Sequence, residues 1–316
     1  MTRPRVLVVT GASSGIGRAV AVRGSHDGEH VVLVARDQSA LDEAATECVE
    51  AGAASVVTLA ADVGDDAAVA RVVDRTLAQH SRIDVVVNAA GVVAYGRTED
   101  VPVEVFDRVI RTNLLGAVNV ARHVLPVLRQ QGRGSLLFVG SVLGHVAVPT
   151  MSPYVVSKWG VRALARQLMI ENRDLPEVRI RYAAPGGVDT PIYEQAANYV
   201  GFAGRPPPPA SSPVRAAGQV LRRVGRFPLP SQLSLLNHGM VLGFEMVPRV
   251  YDALVTTLFP LGALDLETPV EPGPGNVLVS GPGGHHTTGA HDNLLAGVVG
   301  VARNIVVQAR RTASGR

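Results

Sequence analysis

The chain has 316 residues, 47% of them hydrophobic and 18% charged, with a net charge of +3. That gives room for one large α/β domain plus an appendage, and it is too weak a basic balance to argue for nucleic acid. Cys48 is the only cysteine, which excludes an intrachain disulfide and makes the cytoplasm the expected compartment.

The N-terminus passes from Arg3 and Arg5 into a short apolar run and a glycine turn, the pattern of a first strand and not of a secretion signal. Strands are predicted at Arg5–Val9, His30–Ala35, Ser55–Ala60, Asp84–Val87, Ser135–Gly140 and Val178–Ala183. Helices are predicted at Gly15–Arg23, Ser39–Ala51, Asp65–Gln79, Val103–Val120 and Tyr154–Glu171. Near-continuous apolar strands alternating with amphipathic helices imply a parallel sheet covered on both faces, a Rossmann-type doubly wound α/β fold.

After Pro191 the pattern changes. Gly204–Pro213 contains four consecutive prolines and reads as extended loop, followed by a basic helix at Pro213–Gly225. Residues 228–265 are apolar and nearly uncharged, with prolines at 228, 230, 248 and 260. Residues 271–290 read as Gly/Pro/His-rich loop, and His291–Arg311 as a last helix. The expected division is 1–200 for cofactor binding and catalysis and 201–316 for a substrate lid and oligomerisation extension. No run is long and apolar enough to span a bilayer.

Four groups of residues carry chemistry. The turn that includes Gly11, Ser13, Ser14, Gly15, Ile16 and Gly17 follows a strand and opens a helix. Glycines there let the backbone approach a pyrophosphate at a helix N-terminus. At the tip of the second strand Ala35 stands where an NAD-type carboxylate belongs and Arg36 follows, which suits a 2′-phosphate. The alternative is that Arg36 is a solvated loop charge and Asp37 gives some NAD binding. Asp62-Val63 and Asn88-Ala89-Ala90-Gly91 end the third and fourth strands, where ligands bind in such sheets. Asp62 is either an acceptor for an adenine amino group or a helix cap, and Asn88 is placed to brace its neighbours.

The fourth group is Tyr154 and Lys158, four apart at the start of a helix and so on one face, with Ser141 ending the preceding strand. A free phenol is a poor acid–base group near neutrality. An adjacent ammonium is expected to lower its pKa, and Ser141 to hydrogen-bond a substrate oxygen as charge develops there. Asn113 is placed to hold a proton-relaying water. Lys158 is the only lysine in the chain, which points to a position needing a compact ammonium.

The motifs TGASSGIG (10–17), Arg36, ADV (61–63), NAAG (88–91), Asn113, Ser141, YVVSK (154–158) and PGGVDT (185–190) stand in order between about residues 5 and 192. In them the chain resembles the short-chain dehydrogenase/reductase family, in a form with an extended C-terminus. The resemblance implies hydride transfer between NADP(H), with NAD(H) as the alternative, and a carbonyl or secondary alcohol. It implies a tetrad of Asn113, Ser141, Tyr154 and Lys158, in which Tyr154 donates a proton to the carbonyl and Lys158 also holds the nicotinamide ribose. Pro185, Gly186, Val188 and Thr190 would wrap the nicotinamide end. The chain departs from the family pattern at Ala89, where a second Asn is usual, and at Gly24-Ser25-His26, which interrupts the first helix. Asn276–Ser280 is the candidate for a seventh strand.

Other features carry less. His285, His286 and His291 lack a ligand spacing and an acidic partner, so no metal is expected. His145 is either a pocket residue or a plain loop histidine. Arg215, Arg222, Arg223 and Arg226 read as a solvated helix face, and Trp159 as packed in a core or interface. The apolar tail fits a homo-oligomer with an active-site cover better than a peripheral membrane contact. A hydrophobic ketone or alcohol is the expected small-molecule substrate. The rivals are a catalytically silent NADP-binding sensor, against which Tyr154 and Lys158 speak, and a sugar-nucleotide epimerase or dehydratase.

Overall fold

The computed structural model describes residues 3–225, 229–281, 283–289 and 294–313. The strands, in chain order, are β1 (Val6–Thr10), β2 (His30–Ala35), β3 (Ser55–Ala60), β4 (Val85–Asn88), β5 (Ala94–Tyr95), β6 (Gly134–Val139), β7 (Val178–Ala183), β8 (Ala197–Asn198), β9 (Phe202–Gly204) and β10 (Leu264–Pro269). The helices are α1 (Gly15–His26), α2 (Gln38–Glu50), α3 (Asp66–His80), α4 (Val103–Ile110), α5 (Gly116–Gln131), α6 (Ser152–Glu171), α7 (Pro213–Arg223), α8 (Leu235–Met246), α9 (Pro248–Ala263) and α10 (Leu294–Ala313).

Six strands form one parallel sheet in the order β3-β2-β1-β4-β6-β7. Alternate residues face opposite ways along a strand, and both faces are covered. Val6 and Val8 meet α3, α5 and α6 through Val72, Val120, Val124 and Val161. Leu7 and Val9 meet α1, α2 and α7 through Val20, Leu41, Ala217 and Val220. Burying such a side chain contributes roughly 1.5–3 kcal/mol, which is why these strands read as continuous apolar runs. The expected Rossmann-type doubly wound sheet is present. Strand order reverses between β1 and β4, and the ligand crevice of such sheets opens there, beyond the carboxyl ends.

The boundaries differ from expectation in three places. α1 runs through Gly24-Ser25 to His26. Ser25 Oγ donates to the Ala21 carbonyl within the helix, and a Cβ on Gly24 would come within 2.4 Å of Leu7 Cδ2. Gly24 thus permits close helix–sheet contact and does not interrupt the helix. The single helix expected at 103–120 is α4 and α5 joined by a π-turn over Arg111–Leu115. Asn276–Ser280 is not a strand, because its backbone bonds Gln195 and Arg36 instead. The position beside the end of β7 is taken by residues 231–233, where Ala184 bonds Ser231 and Leu233.

The tail is built onto this core and is not separate from it. α7 completes one core face, Gly273 exchanges backbone bonds with Asn198 of β8, and β9 pairs with β10. Arg205 staples the proline loop to the end of α9 by donating to the Leu261 and Gly262 carbonyls at 2.7 and 3.1 Å. Asn304 of α10 donates to the Leu261 and Leu264 carbonyls. The last helix begins at Leu294, so the expected start at His291 lies outside the described residues. Leu235, Leu242, Met246, Val250, Leu254 and Leu258 leave an exposed apolar row on α8 and α9. Among the described residues no helix is long and apolar enough to cross a membrane.

Candidate active site

The glycine turn closes at van der Waals limits. Gly11 has φ +68°, and a Cβ on it would meet the Ala90 backbone at 2.8 Å. A Cβ on Gly17 would lie 2.1 Å from the Gly11 carbonyl oxygen. Only glycine fits at either position. The Thr10 hydroxyl donates to Asn88 Oδ1 at 2.8 Å and accepts from Ala90 N–H, so Asn88 braces β1 against β4 as expected. Together these set the N-terminus of α1 at the floor of a cavity of about 520 Å³. That cavity runs from Gly11, Ser13, Ser14, Gly15, Ile16 and Gly17 past Ala89, Gly91 and Val63 to Ser141, Tyr154 and Lys158. Pro185, Gly186, Val188 and Thr190 form its far side. A close-approach glycine turn at a helix N-terminus on an elongated cavity fits a dinucleotide.

At one end stand Arg36, Asp37 and Asp62. Burial and the nearby Arg108 both lower the Arg36 pKa. Its guanidinium donates to the Asn276 and Val277 carbonyls at 2.6 and 3.2 Å. The same tail segment returns at His285 and His286: the His286 carbonyl accepts from Gly15 N–H at 3.1 Å, and the His285 carbonyl accepts from Arg18. Asp37 caps α2 by accepting from Ala40 N–H. Asp62 accepts from Gly64 N–H at 2.8 Å and pairs with Arg108, while the cap of α3 is Asp65. Asp62 therefore lines the cavity as a turn former with an ionic partner. Arg108 and Arg18 had no motif to announce them.

At the other end the α6 pair is in place. Tyr154 and Lys158 face the cavity, with Lys158 Nζ 5.5 Å from the Tyr154 ring centroid. Lys158 donates to the Val139 carbonyl at 3.1 Å. Burial lowers the Lys158 pKa to about 8. Burial also raises Tyr154 to about 12, against a hydrogen bond to the Ser141 side chain that pulls it down. The expected lowering by the ammonium is not what sets this group: burial is the larger cause, and the opposing effect comes from Ser141. Ser141 Oγ also accepts from Leu143 N–H.

Asn113 lies in the π-turn, a distortion frequent at functional sites. Its Oδ1 accepts from Val92 N–H at 2.8 Å, and its Nδ2 donates to the Val92 carbonyl and the Ser157 hydroxyl at 3.0 Å. Both amide hydrogens are committed, so Asn113 braces the Gly91–Val92 backbone beside Lys158. A Cβ on Gly91 would meet Asn113 Oδ1 at 3.4 Å and Lys158 Nζ at 3.6 Å.

The Tyr154 end of the cavity is walled by Leu143 and Met151 and by Ile192, Met240, Phe259 and Ala263. Tyr95 and Tyr193 also line it, and the apolar runs around them gave no signal. His145 does not line the cavity; it is a loop histidine, following the short turn at Val142–Gly144. It is buried 5.9 Å from the Tyr182 ring, and burial then Arg162 lower its pKa to about 4. Arg223 is buried and donates to the Gln219, Pro230 and Gln232 carbonyls, which holds residues 230–232 against α7. The expected solvated face holds for Arg215 and Arg222, which are exposed, but not for Arg223; Arg226 lies outside the described residues. Trp159 packs edge-on against Phe244. His285 lies 3.6 Å from Asp37, and His291 lies outside the described residues.

A family model described as short chain dehydrogenase matches residues 5–199. The 2-(R)-hydroxypropyl-CoM dehydrogenase of Xanthobacter autotrophicus is 35% identical over 191 residues, covering 60% of this chain and 76% of that protein. The levodione reductase of Leifsonia aquatica is 35% identical over 194 residues, covering 61% and 72%. Among solved structures, an alcohol dehydrogenase from Thermococcus sibiricus complexed with 5-hydroxy-NADP is similar with a TM-score of 0.63 at 30% identity, covering 74% of this chain and 96% of that one. The chain belongs to the short-chain dehydrogenase family, oxidoreductases built on a Rossmann nucleotide-binding fold.

Proposed function

We propose that the protein interconverts a carbonyl and a secondary alcohol with NADP(H) as the preferred dinucleotide and a hydrophobic ketone or alcohol as substrate. The observation that carries this reading is the meeting of Ser141, Tyr154 and Lys158 on the wall of the cavity that holds the glycine turn.

A bound nicotinamide dinucleotide supplies or accepts the hydride. In the reducing direction Tyr154 gives its phenolic proton to the carbonyl oxygen as that oxygen gains charge. Ser141 hydrogen-bonds Tyr154 and is placed to bond the same substrate oxygen. Lys158 brings a positive charge to a site from which water is largely excluded, where it acts on the phenol and on the ribose side of the cavity. Asn113 positions this machinery by fixing Val92 and Ser157. Preference for NADP(H) is supported by Arg36 on the cavity wall, by Ala35 in place of an acid, and by use of the Asp37 carboxylate as a helix cap. The Thermococcus relative described with 5-hydroxy-NADP agrees with this. The apolar substrate rests on the side chains of Leu143, Met151, Ile192 and Phe259.

Tyr154→Phe tests the reading. Turnover should fall by at least about a hundredfold, the range for loss of a positioned acid, while NADPH binding stays within about threefold. A Phe variant with wild-type turnover on any accepted ketone overturns the mechanism.

A further inference from the structure

Tyr95, in β5, is 1% exposed. Its ring packs in a cluster with Met151, Ala196 and Leu264. Gly204 lies against the ring tip, where a Cβ would come within 2.6 Å of Cε2. Its backbone is held by pairing with β8 and by the Tyr199 N–H, which donates to the Tyr95 carbonyl at 2.7 Å. The side chain is thus fixed, and its edge forms part of the cavity wall.

Three other phenols surround the same site, and each has a protein partner. Tyr154 bonds Ser141, Tyr182 donates to the Ser141 carbonyl, and Tyr193 bonds the Val188 backbone. The Tyr95 hydroxyl has no hydrogen-bond partner among the described residues. A phenylalanine would pack this position equally well, so the hydroxyl is not needed for packing; it opens on the cavity that Tyr95 lines. The hydroxyl is therefore placed to donate to an oxygen of a molecule bound in the cavity. Burial, and then repulsion from Tyr193 and Tyr154, keep the phenol neutral well above its ordinary pKa. It remains a donor throughout the working range.

We infer that Tyr95 is a specificity-determining residue of the substrate pocket, and that the substrate is an apolar ketone or alcohol bearing a second oxygen, which the Tyr95 hydroxyl holds. The inference rests on the oxidoreductase reading, with Tyr154 serving the reacting carbonyl. Tyr95 and Tyr154 line the same cavity, so one small molecule can meet both hydroxyls.

The test compares cyclohexanone with its 2-, 3- and 4-hydroxy derivatives, using the full-length enzyme and NADPH. At least one hydroxyketone should exceed cyclohexanone in kcat/KM by roughly fivefold or more, the range for one added hydrogen bond. In Tyr95→Phe that ratio should collapse toward one, chiefly through KM. A purely structural role for the hydroxyl would slow all four ketones alike. Equal kcat/KM for the four in the wild type, or a ratio unchanged in the variant, overturns the inference and leaves the oxidoreductase reading standing. An enzyme that binds NADPH and turns over none of the four, nor any other ketone, overturns both. The wild-type ratio decides alone if the variant fails to fold.

Discussion

The Arg36 guanidinium donates a 2.6 Å hydrogen bond to the carbonyl of Asn276, a residue 240 positions further along the chain. The side chain proposed to select the cofactor is therefore also an anchor for the tail. A 2′-phosphate competes for it with two neutral carbonyls, and a charge-assisted bond is about twice as strong as a neutral one. Arg36→Ala should weaken NADPH binding roughly tenfold to a hundredfold, equivalent to about 1.5–3 kcal/mol. NADH binding should change by less than about threefold. Fluorescence titration of both cofactors reads this out. Equal losses would mean that Arg36 acts only by holding the tail.

The pH dependence of the forward reaction follows from the two buried groups. Tyr154 keeps its proton to about pH 12, so it does not limit carbonyl reduction near neutrality. Lys158 loses its proton near pH 8 instead of 10.5. The plot of kcat/KM for reduction, which reports the free enzyme, should be level below about pH 8 and fall with a slope of one proton above it. The same shift acts on stability. Between about pH 8 and 10.5 the unfolded chain binds a proton at Lys158 that the folded chain does not, so stability from this group rises with pH across that window. A falling limb centred near pH 10, or one that persists unmoved in Lys158→Arg, would assign the titration elsewhere.

Much of the site was legible because its parts are local. The glycine turn, the Tyr154–Lys158 pair and the strand-end segments each lie within a few residues, and helical or strand period alone sets their directions. What was hidden is what distant segments do to those residues. Arg36 gains its partners from the tail, Asp62 gains Arg108 from α4, and Asn113 sits on a π-turn that no helical period announces. Residues 231–233, beside the end of β7, gave no strand signal, because they follow Pro228 and Pro230 and lack a strand period. Burial of Arg223 and His145 depends on packing partners that spacing does not encode. The sign of the Tyr154 shift was misjudged for the same reason: the ammonium was visible in the sequence, and the desolvation around it was not.

The exposed row Leu235, Leu242, Met246, Val250, Leu254 and Leu258 is more apolar than a free surface ordinarily tolerates. The helices that carry it also hold Glu245, Arg249 and Asp252, two acids to one base. That balance disfavours anionic headgroups and suits a protein partner, so a second copy of this chain is the expected cover. Sedimentation velocity should show a homo-oligomer, and Leu254→Asp should shift it toward monomer. Pelleting of most of the protein with anionic vesicles at physiological salt would move this face to a membrane surface instead.

Removing residues 200–316 should destroy either solubility or turnover. The cut takes α7, whose Ala217 and Val220 are fully buried against Leu7 and Val9 of the sheet. It also takes Met240, Phe259 and Ala263 from the Tyr154 end of the cavity. Loss of a core layer leaves one sheet face open, where each exposed aliphatic side chain forfeits roughly 1.5–3 kcal/mol. Against a typical total stability of about 5–15 kcal/mol, a few such losses suffice to unfold a domain. A soluble 1–199 fragment with full activity on any ketone would show that the tail neither completes the core nor covers the site.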